Sequence, residues 1–296
     1  MEEKLCFDCP RLCGATRGLH KDEGKGFCKT GRLPVVARAA AHFGEEPCIS
    51  GTKGSGTVFF SGCNLGCVYC QNHEISKELT GKEITVDELK QIYRSLISQG
   101  VHNIELVTPS HFKEAVAQSL NEKLPVPVVY NTGGYDSVNT VKLLHGKIDV
   151  YMPDFKYSDS SVAKKYSFAS DYREVALQAI SAMLDSVGEP QFNDDGLMVK
   201  GVLIRHLLLP HELDNTLGCI EDIASRFKNK VVFSLMSRYT PVCEVNGFAN
   251  LNCRVTEEEY EKAVNYVHLC GIKRGYFQSP SSAEKSHIPA FDLTGV

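Results

Sequence analysis

No stretch of the sequence carries the roughly 20 consecutive apolar residues that a bilayer-spanning helix requires. It also has no block of lysine and arginine. Charges of both signs are mixed along the chain and sum to −4, so nothing offers nucleic acid an electrostatic footprint. The N-terminus, MEEKLC, is acidic and runs directly into cysteine, unlike a secretory leader. There is no internal repeat, low-complexity tract or flexible linker. The ten histidines never take the H-E-x-x-H spacing of a zinc hydrolase. Gly54-Ser55-Gly56 precedes a strand rather than opening a helix, so it reads as a turn and not as a phosphate loop. These absences point to a soluble, cytoplasmic protein with neither a membrane nor a nucleic-acid partner.

What the chain does have is cysteine, twelve in 296 residues. In a secreted protein that count would suggest disulfides; without a leader, clustered cysteines read as metal ligands or redox groups. Eight of the twelve fall in the first 70 residues. Cys219, Cys243, Cys253 and Cys270 are scattered and expected to be small buried apolar residues. Cys48 stands alone and is expected to be buried too, although it could serve as a ligand. With 43% hydrophobic residues, the chain can bury a large core.

Residues 1–50 are rich in cysteine, glycine and arginine with little periodicity, and are read as an extension. Residues 51–296 are read as the main domain. There, short runs rich in β-branched and aromatic residues at 57–61, 103–108, 127–130, 148–152, 201–209 and 230–235 predict six strands. Helical patterns separate them. Thr85 with Glu88 and Thr256 with Glu259 form capping boxes, and Gly100 marks a stop. Further helices are expected at 110–121, 137–145, 171–187 and 213–227. In the last helix Tyr260, Ala263, Val264 and Val267 face inward, and the tail beyond it is rich in loops. Strands alternating with helices predict an α/β fold with parallel strands, a partial (β/α)6 barrel of the TIM type. In such folds functional groups gather beyond the carboxyl ends of the strands.

Cys63-Asn-Leu-Gly-Cys67-Val-Tyr-Cys70 follows the first predicted strand. Three thiolates in one loop can converge on zinc, copper(I) or an iron–sulfur cluster. A [4Fe–4S] cube held by three cysteines keeps one iron open to an outside ligand. A zinc knob with a distant fourth ligand, or a redox pair at Cys67 and Cys70, fits the spacing as well. Cys6-x2-Cys9-x3-Cys13-x14-Cys28 suits a closed tetrahedral site for zinc or one iron, or an auxiliary cluster. At other predicted strand ends stand Asn131 and Thr132, Asp154 and Lys156, Arg205 and His206, and Met236 to Arg238. Agreement among several placements on one rim outweighs any single one, since an isolated Asp-x-Lys pair is normally solvated.

C-x3-C-x2-C with an aromatic before the last cysteine, after strand one of a βα barrel, resembles the radical S-adenosylmethionine superfamily. Phe60-Ser61-Gly62-Cys63-Asn64 and Cys70-Gln71-Asn72 resemble the group of the pyruvate formate-lyase activating enzyme, and more narrowly an uncharacterised branch of it. The likeness extends to Cys9-Pro10-Arg11, Glu45-Glu46-Pro47, Ile49-Ser50-Gly51, Val107-Thr108-Pro109-Ser110, Asn131-Thr132-Gly133-Gly134-Tyr135, Pro153-Asp154-Phe155-Lys156, Ile204-Arg205-His206 and Arg238-Tyr239-Thr240-Pro241.

The resemblance implies an oxidoreductase with a [4Fe–4S] cluster on Cys63, Cys67 and Cys70. Its open iron chelates the amino and carboxylate groups of S-adenosylmethionine, with Tyr69 beside the adenine. It matches Asn131, Thr132, Met152 and Asp154 to a cation site by the cofactor carboxylate, where Asn131 in place of aspartate removes a charge. It aims Lys156, Arg205 and His206 at the cofactor. The superfamily's Gly-Gly-Glu after strand two is replaced by Thr108-Pro109-Ser110, leaving Thr108 and Ser110 to accept from the amino group without a carboxylate's charge. The implied mechanism is reduction by a flavodoxin or ferredoxin, cleavage to a 5′-deoxyadenosyl radical, and hydrogen abstraction. A glycyl residue of a partner enzyme is the implied substrate, with a peptide or a small molecule as the alternatives. The alternatives are a non-catalytic zinc or iron–sulfur protein and a thiol–disulfide oxidoreductase. His42, beside Glu45-Glu46-Pro47, faces either the site or the core.

Overall fold

All six expected strands form, and each runs parallel to its neighbour. The computed structural model describes residues 5–241, 245, 247–278 and 289–296; Cys243 lies outside them. The eight longer strands of the ten-stranded central sheet are β1 (Val35–His42), β2 (Ser55–Phe60), β3 (Ile104–Val107), β4 (Val128–Thr132), β5 (Val150–Pro153), β6 (Met198–Leu207), β7 (Val232–Met236) and β8 (Gly275–Gln278). Their spatial order is β8-β7-β6-β5-β4-β3-β2-β1, and the sheet does not close. Strands β2 to β8 are parallel. The fold is therefore a partial α/β barrel, as expected, with a seventh parallel strand, β8, that the sequence does not announce. Its four residues alternate between exposed and half-buried at the sheet edge, so no apolar run marks them.

β1 corrects the reading of the first 50 residues. It pairs antiparallel with β2 from Val36 to His42, so the end of the extension belongs to the barrel sheet. The chain terminus covers β1: the Ala39 amide donates to Thr294 and the Leu293 amide to Ala37. Ser55 and Gly56 already lie in β2, so only Gly54, at φ 79°, makes the expected turn.

The helices are α1 (Val86–Ser98), α2 (Lys113–Ser119), α3 (Val138–Leu143), α4 (Ser160–Ser167), α5 (Tyr172–Val187), α6 (Leu213–Arg226) and α7 (Glu257–Leu269). Both capping boxes are in place, at Thr85–Glu88 and Thr256–Glu259. In α7, Ala263 and Val267 are buried while Tyr260 and Val264 are half-buried. α4, absent from the predicted set, begins where Asp159 accepts from the amides of Ser161 and Val162. Among the described residues no helix is long and apolar enough to cross a membrane. Of the scattered thiols among the described residues only Cys219 is buried; Cys253 and Cys270 are half-exposed, against expectation. Cys253 lies 3.5 Å from Nε2 of His211 and 3.4 Å from the Asn250 carbonyl.

Arg11 fixes the extension to the barrel. Its guanidinium donates to the carbonyls of Asn64 (2.7 Å) and Leu65 (2.8 Å) in the cysteine loop, and to those of Ser167 (2.6 Å) and Phe168 at the end of α4. A cation there also complements the negative end of the helix. The same group stacks 4.0 Å from the centre of the Phe27 ring. Removing charge-assisted bonds of this kind costs about 2 kcal/mol at a half-exposed site. Arg11→Ala is accordingly expected to lower stability to chemical denaturation by about that amount and to speed proteolytic cleavage before residue 35. Unchanged cleavage would show that the extension is held by other contacts.

Candidate active site

A cavity of about 280 Å³ opens inside the barrel at the carboxyl ends of the strands. Its lining brings together Cys63, Cys67, Cys70, Tyr69, Thr108, Asn131, Thr132, Asp154, Lys156 and Arg205. Met236 and Arg238 line it as well, and His42 does so on the far side beside Glu45 and Glu46. Below it, Val129, Val150, Met152, Leu203 and Val232 pack against Cys48, Ile49 and Met198 as an apolar floor. Met152 thus belongs to the floor, and Cys48 is the buried thiol expected of it.

The cysteine loop leaves β2 through Gly62 and Gly66, at φ 82° and 66°. A Cβ on Gly66 would come within 2.8 Å of the Phe27 ring, and one on Gly62 within 2.7 Å of the Cys28 carbonyl. The loop is therefore pressed against the second cysteine group. Burial, then the neighbouring Cys67 and Cys70, push the Cys63 thiol up to about 12. A metal centre would have to displace the protons that these thiols keep without one. Among the described residues no three His, Cys, Asp or Glu side chains are spaced for a single metal ion. A four-iron cube spreads its thiolates more widely than one ion does. Three thiols on one wall, with no fourth cysteine among the described residues lining the cavity, match the donor set that a cluster with one open iron needs.

A chain of hydroxyls supports this loop. Tyr69 and Tyr157 share a hydrogen bond of 2.7 Å, Tyr157 and Ser167 one of 2.6 Å, and Ser167 donates to the Cys67 sulfur at 2.9 Å. Neither Tyr157 nor Ser167 is marked by any motif. Their spacing from Cys67 is meaningful only once α4 has folded back onto the loop.

Arg205 organises the opposite wall. Nε donates to Asp154 at 3.0 Å, Nη1 to Glu45 at 2.7 Å, and Nη2 to Asn131 at 2.6 Å. Lys156 takes the other Asp154 oxygen at 2.6 Å. Burial alone would raise the Asp154 carboxyl, but Lys156 and Arg205 outweigh it and hold it below the usual carboxylate range. Both oxygens of Asp154 are thus bonded to protein cations, and a metal ion at the position suggested by the resemblance would have to displace or join them. Asn131 also donates to Glu105 at 2.7 Å, which accepts from Thr57 at 2.9 Å. Glu105 stands in the otherwise apolar run Ile-Glu-Leu-Val of β3, a signal legible in the sequence but not used there.

Two expected site residues lie elsewhere. His206 alternates with Arg205 along β6 and points away from the cavity, toward α6. Its Nδ1 lies 2.6 Å from the Phe155 carbonyl and its Nε2 3.0 Å from the Thr216 hydroxyl. A carbonyl only accepts, so Nδ1 carries the proton and Nε2 accepts. Burial pushes this imidazole down to about 4, so it is a neutral core group. Ser110 is buried behind the wall, 3.2 Å from the Thr132 hydroxyl, which in turn donates to Asp136. Thr108 does reach the cavity, at φ 58°, a left-handed backbone rare for a β-branched residue. Cys6, Cys9, Cys13 and Cys28 line one small pocket with Arg11, Asn64 and His111, directly behind the cysteine loop. Burial, with smaller contributions from Cys28, Cys6 and Cys13, pushes the Cys9 thiol up to about 11.

The model of the Radical SAM superfamily matches residues 57–218. The chain is 28% identical over 272 residues to an uncharacterised protein of Methanocaldococcus jannaschii, covering 88% of this chain and 73% of that protein. The fold is similar to Streptococcus suis SuiB, solved with S-adenosylmethionine, at a TM-score of 0.47 and 14% identity. That match covers 73% of this chain but only 48% of SuiB, so the chain spans about half that protein's length. A domain of a pyruvate-formate lyase-activating enzyme from Bacteroides vulgatus matches at a TM-score of 0.37 and 14% identity, over 66% of this chain and 91% of its own. With more than half its length matched by the family model, and three thiols on the cavity wall, this chain belongs to the radical S-adenosylmethionine superfamily, whose cofactors are a [4Fe–4S] cluster and S-adenosylmethionine.

Proposed function

We propose that Cys63, Cys67 and Cys70 hold the cluster and that the cavity beside them receives S-adenosylmethionine and a substrate from which hydrogen is abstracted. The observation that carries this reading is the shared lining: three thiols, Tyr69, Lys156 and Arg205 border one cavity. When bound, the cluster and its cofactor supply a 5′-deoxyadenosyl radical upon one-electron reduction; a flavodoxin or ferredoxin is the proposed donor. The chain's own work is to position and to exclude water. Tyr69 is held in place through Tyr157 and offers its face to the adenine. Thr108 presents its oxygen to the cofactor amino group, while the Thr132 hydroxyl is held by Ser110 and Asp136. Lys156, anchored on Asp154, presents the remaining positive charge to its carboxylate. Ser110 and His206 have no contact role in this reading and act only by packing.

The N-terminal cysteines, pressed behind the loop, are assigned a second metal centre, zinc or iron–sulfur, that braces it. A glycyl residue of a partner enzyme is the hydrogen donor favoured by the resemblance to the activating-enzyme group.

Anaerobically reconstituted protein should be brown, and dithionite with S-adenosylmethionine should yield methionine and 5′-deoxyadenosine. Cys63→Ala should abolish both. Colourless protein holding only zinc would favour a structural metalloprotein, and activity surviving Cys63→Ala would favour a dithiol enzyme. Copurified partner showing a glycyl radical signal by electron paramagnetic resonance would establish the substrate, and its absence on a partner that binds would exclude it.

A hydrogen bond to a cluster sulfur stabilises the reduced form. Ser167→Ala, which removes the donor to Cys67, is therefore expected to lower the midpoint potential by some tens of millivolts while leaving the iron content unchanged. An unmoved potential in a redox titration would mean that Ser167 only packs.

A further inference from the structure

Glu46 is 1% exposed, and neither of its carboxylate oxygens has a hydrogen-bond partner. No other carboxylate among the described residues is buried in this state. Its neighbours explain why. Glu46 precedes the single-turn helix Pro47–Ser50, but its side chain makes no cap, and Pro47 has no N–H to give. Arg205, on the same cavity wall, spends Nε, Nη1 and Nη2 on Asp154, Glu45 and Asn131. Lys156 is spent on Asp154. A buried carboxylate without a donor is costly, and a protein keeps one where something else completes it.

Glu46 lines the same cavity as the cysteine loop. Four carboxyl groups meet around this wall, on Glu45, Glu46, Glu105 and Asp154, with three cations, Arg205, Lys156 and Arg238, and Arg238 donates through Nε to Gln278 at 2.7 Å rather than to Glu46. Burial, followed by the closeness of Glu105, raises Glu45 well above the usual carboxylate range despite Arg205. Glu46 alone among these four carboxylates has no donor. A metal ion is a poor match, since Glu45 and Asp154 are already bonded to Arg205 and Lys156, leaving Glu46 as the one open acidic ligand of this wall. A cationic nitrogen needs only one or two acceptors.

We infer that Glu46 receives an ammonium or guanidinium group of the molecule held in this cavity, so that the substrate carries a positive charge. The inference rests on the reading of the cavity as the substrate chamber, and it names the substrate's class.

The test is isothermal titration of the anaerobically reconstituted enzyme with S-adenosylmethionine present. The probes are n-butylammonium, n-butylguanidinium, butyrate, magnesium ion and the blocked peptide acetyl-Gly-Lys-Gly-amide. One or both organic cations should bind, and butyrate and magnesium should not. Binding of the peptide as tightly as the free amine would place the charge on a peptide side chain; binding of the free amine alone would place it on a small molecule. Glu46→Gln should weaken the cation at least about tenfold, the worth of a hydrogen bond to a charged group. Without ligand, Glu46→Gln should melt a few degrees higher, because it removes an unpaired buried charge. Equal binding of butyrate, binding of magnesium in place of the amines, or unchanged affinity in Glu46→Gln would overturn the inference. The wild-type series decides the matter even if the variant does not fold. Formation of 5′-deoxyadenosine in the same preparations separates the two claims: its presence without cation binding would remove only the substrate class, and its absence with cation binding would remove only the radical chemistry.

Discussion

Much of the interior hangs on a single buried guanidinium. Arg205 stands on β6 and bonds to the end of β4, to the residue after β5, and to the loop that carries Glu45 up from β1. Three sheet elements and the loop after β1 are thereby set relative to one charge. Such a centre is stable only when complete. Removing one partner of a buried ionic group costs about 3–5 kcal/mol, because the others are left uncompensated. The same condition explains the polar half of the barrel: Asn131, Asp154, Glu45 and, one step further, Glu105 and Thr57 form one connected network. Apolar residues then close the barrel below it.

The second constraint is packing behind the cysteine loop. Gly62 meets the Cys28 carbonyl and Gly66 meets Phe27, so the loop cannot take its path unless the extension is folded against it. Arg11 secures that contact from the other side, reaching both the loop and the end of α4. α4 in turn brings Ser167 to the Cys67 sulfur. The extension and the barrel therefore form one support for the three thiols, even though the sequence divides them sharply by composition.

Most of the fold was legible because its signals are local. β-branched runs marked the six inner strands, and two capping boxes marked α1 and α7. β1 and β8 were missed for a common reason. Both lie toward the sheet edges, where pairing with a neighbour decides the strand and side-chain pattern does not. In the site, the strand-end rule found Asn131, Thr132, Asp154, Lys156 and Arg205. It failed for His206 because adjacent residues on a strand face opposite sides, and only the structure fixes which one turns inward. Ser110 failed because its backbone begins a tight turn that buries the hydroxyl. Tyr157 and Ser167 carry no local mark, since their role depends on tertiary contact alone. Glu46 was visible within Glu45-Glu46-Pro47, but that it lacks a partner is a property of the folded interior.

The central claim is that three thiols leave one iron of the cube free to chelate S-adenosylmethionine. The most direct measurement is electron–nuclear double resonance on the reduced, reconstituted protein with cofactor labelled by nitrogen-15 at the amino group and oxygen-17 at the carboxylate. The account predicts resolved coupling of both labels to the cluster spin. A reduced cluster with no coupling to either label, or one whose fourth iron is bound by a protein side chain, would contradict it.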